Sequence, residues 1–171
     1  MGAQLKLQTW LCLKGALIGV CLLQFVGASQ ATTTTSTFTV QATIIASCTI
    51  NSASTLNFGS QGVLTANVDN TSTLQVQCTN TTPYNIGLDV GTGTGATVAV
   101  RKMTSGANTV NYSLYSDSGR ATVWGNTVGT NTVAATGNGA SQSYTVYGRV
   151  TAQTTPAPGT YTDTITVTVT Y

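Results

Sequence analysis

The last twelve residues of the chain, "TYTDTITVTVTY" (160–171), place a threonine at every even position. The odd positions are Tyr161, Asp163, Ile165, Val167, Val169 and Tyr171. A repeat of two is the repeat of a β-strand, whose side chains point alternately to opposite faces. One face is then apolar and the other hydroxylated, which suits a strand with one side on a core. A second stretch, "TTTTSTFTVQATIIASC" (32–48), follows the same rule without a single charge. In it Phe38, Val40, Ala42 and Ile44 point one way, and Thr37, Thr39, Gln41 and Thr43 the other.

Shorter alternating runs recur between clusters of Gly, Asn and Asp. Strands are expected near 37–46, 54–58, 72–78, 84–90, 97–103, 110–116, 121–124, 143–152 and 161–171. Turn signals lie at "FGSQG" (58–62), "NVDN" (67–70), "TNTTP" (79–83), "GTGTG" (91–95), "SDSG" (116–119), "TGNGAS" (136–141) and "TPAPG" (155–159). The chain is rich in Thr, Val, Asn, Gly and Ala and has no Glu. That is β-protein composition, and strands of this spacing predict an all-β, immunoglobulin-like sandwich. Two strands of strong β-propensity lie at the two ends, both nearly free of charge. Monomers avoid such edges, because they recruit other chains.

Residues 1–31 read as a secretory signal. Lys6 and Lys14 supply the positive region, and "GALIGVCLLQFVG" (15–27) the apolar one. "SQA" (29–31) favours cleavage before Thr32, with "VGA" (26–28) as an alternative cut before Ser29. A transmembrane anchor is the competing reading, but the apolar run is short for a span and no basic stop follows. A lipoprotein signal at Cys21 is disfavoured by Val20, where a small residue is wanted. Beyond residue 31 the cations Arg101, Lys102, Arg120 and Arg149 balance the anions Asp69, Asp89, Asp117 and Asp163. No basic face remains for nucleic acid, and no polybasic segment addresses a membrane after signal cleavage. Two cysteines follow the signal, Cys48 and Cys78. In an exported chain an even pair is most simply a disulfide, with a pair of buried thiols as the alternative.

Catalytic chemistry finds few groups. There is no His, so a Ser-His-Asp or Cys-His arrangement is impossible and a zinc site lacks ligands. The four Asp sit at expected turns or strand starts and read as turn-capping residues rather than a carboxylate dyad. "GTGTG" (91–95) has no following helix signal to make a phosphate cradle. "NTS" (70–72), "NTT" (80–82) and "NYS" (111–113) match a glycan acceptor pattern that so Asn- and Thr-rich a chain produces by chance. Tyr112, Tyr115, Trp124, Tyr144 and Tyr147 read as core with an exposed ring, or as a sugar-binding platform. No enzyme, no cofactor and no metal is expected.

Several motifs in order resemble the spore coat protein U domain family, the subunit fold of archaic chaperone–usher pili in Gram-negative bacteria. They are "ATIIASCTI" (42–50), "TLNFGS" (55–60), "LQVQCTNTTPYNIGLDVG" (74–91), "RKMTSGANTVNYSLYSDSG" (101–119) and "GTYTDTITVTVTY" (159–171). The most specific is the C-terminal pattern of Gly159, Tyr161, Asp163, Ile165, Val167 and Val169. The paired cysteines also match the family's disulfide.

The resemblance implies an incomplete immunoglobulin-like sandwich, residues 47–171, lacking one strand and completed by donor-strand exchange. It implies a donor segment at residues 32–46, whose Phe38, Val40, Ala42 and Ile44 fill the groove of the next subunit. The Thr-rich lead "TTTTST" (32–37) departs from the compact donor start of that pattern. A periplasmic chaperone would cap the groove, and an outer-membrane usher would exchange chaperone for donor. The partners are then identical or related pilin subunits in a head-to-tail polymer. The destination is a cell-surface pilus, reached through the periplasm and serving attachment and biofilm formation. The competing class is a monomeric secreted β-sandwich that binds carbohydrate or another surface ligand, with residues 37–46 folded back as its own edge strand. A literal spore coat role sits poorly with an export signal and a periplasmic disulfide.

Overall fold

The computed structural model describes residues 30–171. The expected signal therefore lies outside the described residues, apart from Gln30 and Ala31. Residues 30–41, the described part of the first of two units, are exposed and hold no helix or strand.

Residues 42–171 form the second unit, which holds eight strands and no helix. They are β1 (Cys48–Ala53), β2 (Val68–Cys78), β3 (Pro83–Leu88), β4 (Arg101–Ser105), β5 (Asn108–Tyr115), β6 (Val133–Thr136), β7 (Ser141–Val150) and β8 (Val167–Thr170). Five make one sheet in the order β1-β2-β7-β5-β4, and three make another in the order β6-β3-β8. Every pairing is antiparallel.

The alternation in sequence explains which faces meet. Leu74 and Val76 of β2, Val110, Tyr112 and Leu114 of β5, and Val146 and Val150 of β7 are buried from the larger sheet. Tyr84, Ile86 and Leu88 of β3 come from the smaller one. Trp124 lies between strands, fully buried, and its Nε1 donates to the Ile86 carbonyl at 2.8 Å. β4 and β5 are joined by Gly106-Ala107, with Gly106 at φ +58. A glycine with positive φ at the first central position gives the primed turn that matches strand twist.

The expected strand boundaries shift at several places. Residues 37–46, expected as a strand, are exposed and hold no strand. The strand expected at 54–58 lies instead at 48–53, where Cys48 faces Cys78 and Ile50 faces Val76. The run 121–124 is a loop with one isolated bridge, Tyr115 to Val123. The "NVDN" signal is overturned, since β2 begins at Val68 and Asp69 lies opposite Arg149 in the ladder. β6 was not anticipated.

Candidate functional site: an apolar groove between two sparsely paired rims

The final run, expected as one strand over 161–171, pairs with β3 only from Val167 to Thr170. Upstream its one pairing is an isolated bridge, Thr104 to Thr162, with bonds of 2.8 and 3.1 Å. Yet the burial alternates as the sequence dictates. Tyr161, Asp163, Ile165 and Val167 are half-buried, while Thr160, Thr162, Thr164 and Thr166 are exposed. This is strand-like chain with one edge unoccupied.

The segment after β1 behaves in the same way. Leu56 and Phe58 turn inward and are half-buried, and Phe58 meets the Tyr112 ring edge-on at 6.3 Å. Gly148 makes their seat, because a Cβ there would lie 2.6 Å from Leu56 Cδ1 and 3.0 Å from Phe58 Cζ. Side-chain bonds hold this stretch: Gly59 N–H to Asn57 Oδ1 at 2.8 Å and Gln61 Nε2 to the Phe58 carbonyl at 2.6 Å. No backbone ladder runs along it.

Between residues 53–64 and 155–167 lies a groove of about 1130 Å³. Its floor is the core itself, with Leu74, Leu88, Val110, Leu114, Val146 and Val150 reaching it. A sandwich with a cleft that reaches down to its core between two strand-like rims is short of one strand.

The rim at 160–166 is tied down through Asp163, on its inward face, and through Asp89. Asp163 Oδ2 accepts from the Tyr112 hydroxyl at 2.7 Å. Its Oδ1 accepts from Thr92 N–H at 2.7 Å, Thr92 Oγ1 at 2.8 Å and Thr164 N–H at 2.8 Å. Gly91 stands at φ +79, and any Cβ there would overlap the Asp163 carboxylate. Burial, then the Asp163 bond, push the Tyr112 phenol far above its ordinary pKa, so it stays a donor. Asp89 Oδ1 accepts from Thr166 N–H and Gly91 N–H, both at 3.0 Å. Burial raises the Asp89 carboxyl pKa, but these donors outweigh it and hold the group below its usual range. Asp89 and Asp117 cap turns as expected, Asp117 by accepting from the Ala121 and Thr122 N–H groups, whereas Asp163 ties distant segments together and Asp69 is an ion-pair residue. Asp69 faces Arg149 at 2.7 Å and Arg120 at 3.3 Å. Among the described residues no three His, Cys, Asp or Glu gather as a metal site.

Arg101 was not anticipated as a site residue. It is 0% exposed, and among the described residues no carboxylate forms an ion pair with it. Instead it donates to four carbonyls: Asp89 at 2.8 Å, Val98 at 2.9 Å, Leu88 at 3.1 Å and Trp124 at 2.7 Å. It binds the exit of β3, the 97–100 loop and the Trp124 loop into one block beside the groove. Burial lowers its pKa, though a guanidinium remains charged. A signal existed, since a period-two reading puts Arg101 on the inward face of Met103 and opposite Tyr112.

The expected donor residues are all exposed, Phe38 by 87%, Val40 by 83% and Ile44 by 82%, with Ala42 also open. Cys48 and Cys78 form the expected disulfide. Of the aromatics, Tyr112 and Trp124 are buried, and Tyr144 donates to or accepts from the Tyr84 hydroxyl at 2.6 Å. Tyr115 and Tyr147 face each other on the outer side of the larger sheet, with Arg120 over the Tyr147 ring. The five do not form one platform. Gly159 approaches Ser105 closely, and Tyr161 donates to the Ala157 carbonyl at 2.6 Å.

Comparison with known proteins agrees with this architecture. Residues 34–168 match the Spore Coat Protein U domain. Protein U of Myxococcus xanthus is 35% identical, over 84% of this chain and 88% of that protein. Among solved structures, a similar chain belongs to the CsuC–CsuE chaperone–tip adhesion subunit pre-assembly complex from archaic chaperone-usher Csu pili of Acinetobacter baumannii. That likeness has a TM-score of 0.55 and 27% identity, over 75% of this chain. This chain spans about 40% of the length of that structural relative. The fold is similar to that of a chaperone-usher pilus subunit, and the sequence belongs to the spore coat protein U domain family.

Proposed function

We propose that this chain is an exported structural subunit of a surface pilus that polymerises head to tail by donor-strand complementation. The observation that carries the reading is the groove with two sparsely paired rims in a chain that also exposes Phe38, Val40 and Ile44 along one alternating face. Residues 32–46 act as the donor, and 47–171 as the acceptor domain. Strand addition supplies backbone hydrogen bonds on both rims, while the alternate apolar side chains fill the groove. Such donation does not close on itself, so it builds a filament. A bare apolar groove would aggregate during export, which calls for a periplasmic chaperone to cap it and an outer-membrane usher to exchange it. That the structural relative comes from a chaperone–subunit complex supports the chaperone. The filament serves attachment and biofilm formation at the cell surface. The subunit acts without catalysis or cofactor.

Electrophoresis of the purified exported protein, unboiled against boiled, tests this. The expected result is a ladder that collapses to one band only on heating and is lost in Phe38→Asp or Ile44→Asp. A single monomer band in both lanes, from a folded protein, would overturn the reading in favour of a monomeric secreted binding module.

A further inference from the structure

The structure assigns to Asp163 the role of a positioning residue that holds the C-terminal rim of the groove open and ready before any strand arrives. This rests on the donor-strand reading above and adds to it the element that prepares the acceptor.

The argument begins with what the rim lacks. From Thr160 to Thr166 the chain is strand-like in its alternation, but its one pairing is the bridge at Thr162. A segment so sparsely laddered, facing a groove whose apolar lining at Met103 and Ile165 is only half-buried, would gain by closing over it, which would shut the site. Three attachments oppose that closure. Thr162 is bonded to Thr104 of β4. Thr166 is held by Asp89, through the Thr166 N–H on the carboxylate and the Asp89 N–H on the Thr166 carbonyl at 3.1 Å. Between them, next to Thr162, Asp163 gathers the Tyr112 hydroxyl and both the N–H and hydroxyl of Thr92.

Asp163 differs from the other two in reach. Its partners lie on β5 and on the 89–95 loop, so one carboxylate joins the rim to both sheets' connections. Gly91 is part of the same device, since only a residue without Cβ leaves room for the carboxylate. Tyr112 lies on the groove floor and points its hydroxyl at the latch. The floor and the rim are therefore fixed to each other, while Tyr161, Ile165 and Val167 still face the groove. Preorganisation of this kind lowers the ordering cost of strand capture and so acts on its rate.

The test uses the full chain carrying Phe38→Asp, whose own strand is disabled, and a fluorescent peptide of residues 32–46 as the probe. Adding Asp163→Ala is expected to slow peptide capture at least tenfold. Adding Asp163→Asn, which keeps the shape and most of the bonds, should restore the rate to within about threefold. Tyr112→Phe, a milder lesion, should slow capture by a few fold. Val133→Ala, a core lesion away from the groove, supplies the comparison. It should lower the melting temperature while capturing peptide at the parental rate. Peptide capture by Asp163→Ala at the parental rate would overturn the latch. So would a slowing that Val133→Ala reproduces at the same loss of melting temperature. Failure of the Phe38→Asp parent itself to capture peptide would instead overturn the donor-strand reading, and the latch with it.

Discussion

Replacing Arg101 with methionine tests how the block beside the groove is held. The side chain is fully buried and donates to four backbone carbonyls, those of Leu88, Asp89, Val98 and Trp124. A hydrogen bond to a charged group contributes about 1.5–3 kcal/mol, so the gross gain is on the order of 6–12 kcal/mol. Burying a guanidinium costs several kcal/mol, which methionine avoids. Methionine, however, leaves buried carbonyls unpaired at about 1–3 kcal/mol each. Four orphaned carbonyls in that range, less the desolvation cost that methionine avoids, give a net loss of about 4 kcal/mol. Lysine offers three donors from a single point and should lose about half as much. Trp10 precedes the expected cleavage site, so Trp124 is the single tryptophan afterwards, and its fluorescence in urea reports unfolding. With a urea slope near 1.5 kcal/mol/M, Arg101→Met should lower the midpoint by roughly 2–3 M and Arg101→Lys by about half that. A shift of under about 0.5 M for Arg101→Met would refute the reasoning, because the desolvation cost would then cancel the four bonds.

Three further outcomes follow from other parts of the structure. The Cys48–Cys78 bridge closes a separation of 30 residues, so the double Cys→Ser variant should lose about 3.6 kcal/mol by the chain-entropy account, read from urea unfolding. Thr81 stands at φ +65 in the turn where Thr82 N–H meets the Thr79 carbonyl, a position that suits Gly or Asn. Thr81→Asn should therefore stabilise by about 0.5–1 kcal/mol in thermal melts, and a destabilisation would show that Thr81 makes an unrecognised contact. Stability should be level between pH 5 and 8, because no histidine is present. It should fall below about pH 4. Asp69 is lowered chiefly by Arg149, Asp89 by the Thr166 and Gly91 donors that outweigh its burial, and Asp117 by the Thr122 and Ala121 N–H groups. A carboxyl depressed in the folded state stabilises above its unfolded pKa and loses that contribution as pH falls through its folded value. A transition between pH 5 and 8 in urea midpoints would contradict this assignment.

Side-chain alternation was legible in the sequence further than backbone pairing was. The run 161–171 keeps its apolar face inward from Tyr161 to Val169, leaving Tyr171 exposed, but only Val167–Thr170 finds a ladder. Leu56 and Phe58 likewise pack inward from a segment that pairs with nothing regular. Periodicity reports which side meets the core, and it carries no information on whether a neighbour is present. In a sandwich short of one strand that difference is the site itself. β6 was missed because "VAAT" is short and Ala-rich, and "NVDN" misled because a charge that reads as a turn breaker is neutralised across the ladder by Arg149. The latch on Asp163 needed tertiary contact between residues 92, 112 and 163, which no local pattern encodes.

The root of residues 32–46 has a mechanical consequence. Ser47 is clasped by Thr79 through two bonds, Thr79 N–H to the Ser47 carbonyl at 2.9 Å and Ser47 N–H to Thr79 Oγ1 at 3.1 Å. The next residue, Cys48, is covalently joined to Cys78 at the far end of β2. β1 is an edge strand, and an edge strand pulled from its end is unzipped one hydrogen bond at a time. Here tension arriving at Ser47 bypasses β1 through the sulfur bridge and enters β2, which pairs with β7 over ten positions from Val68 to Gln77. The load is then shared in shear by the longest ladder in the domain, so an oxidised chain resists stretching where a reduced one would peel.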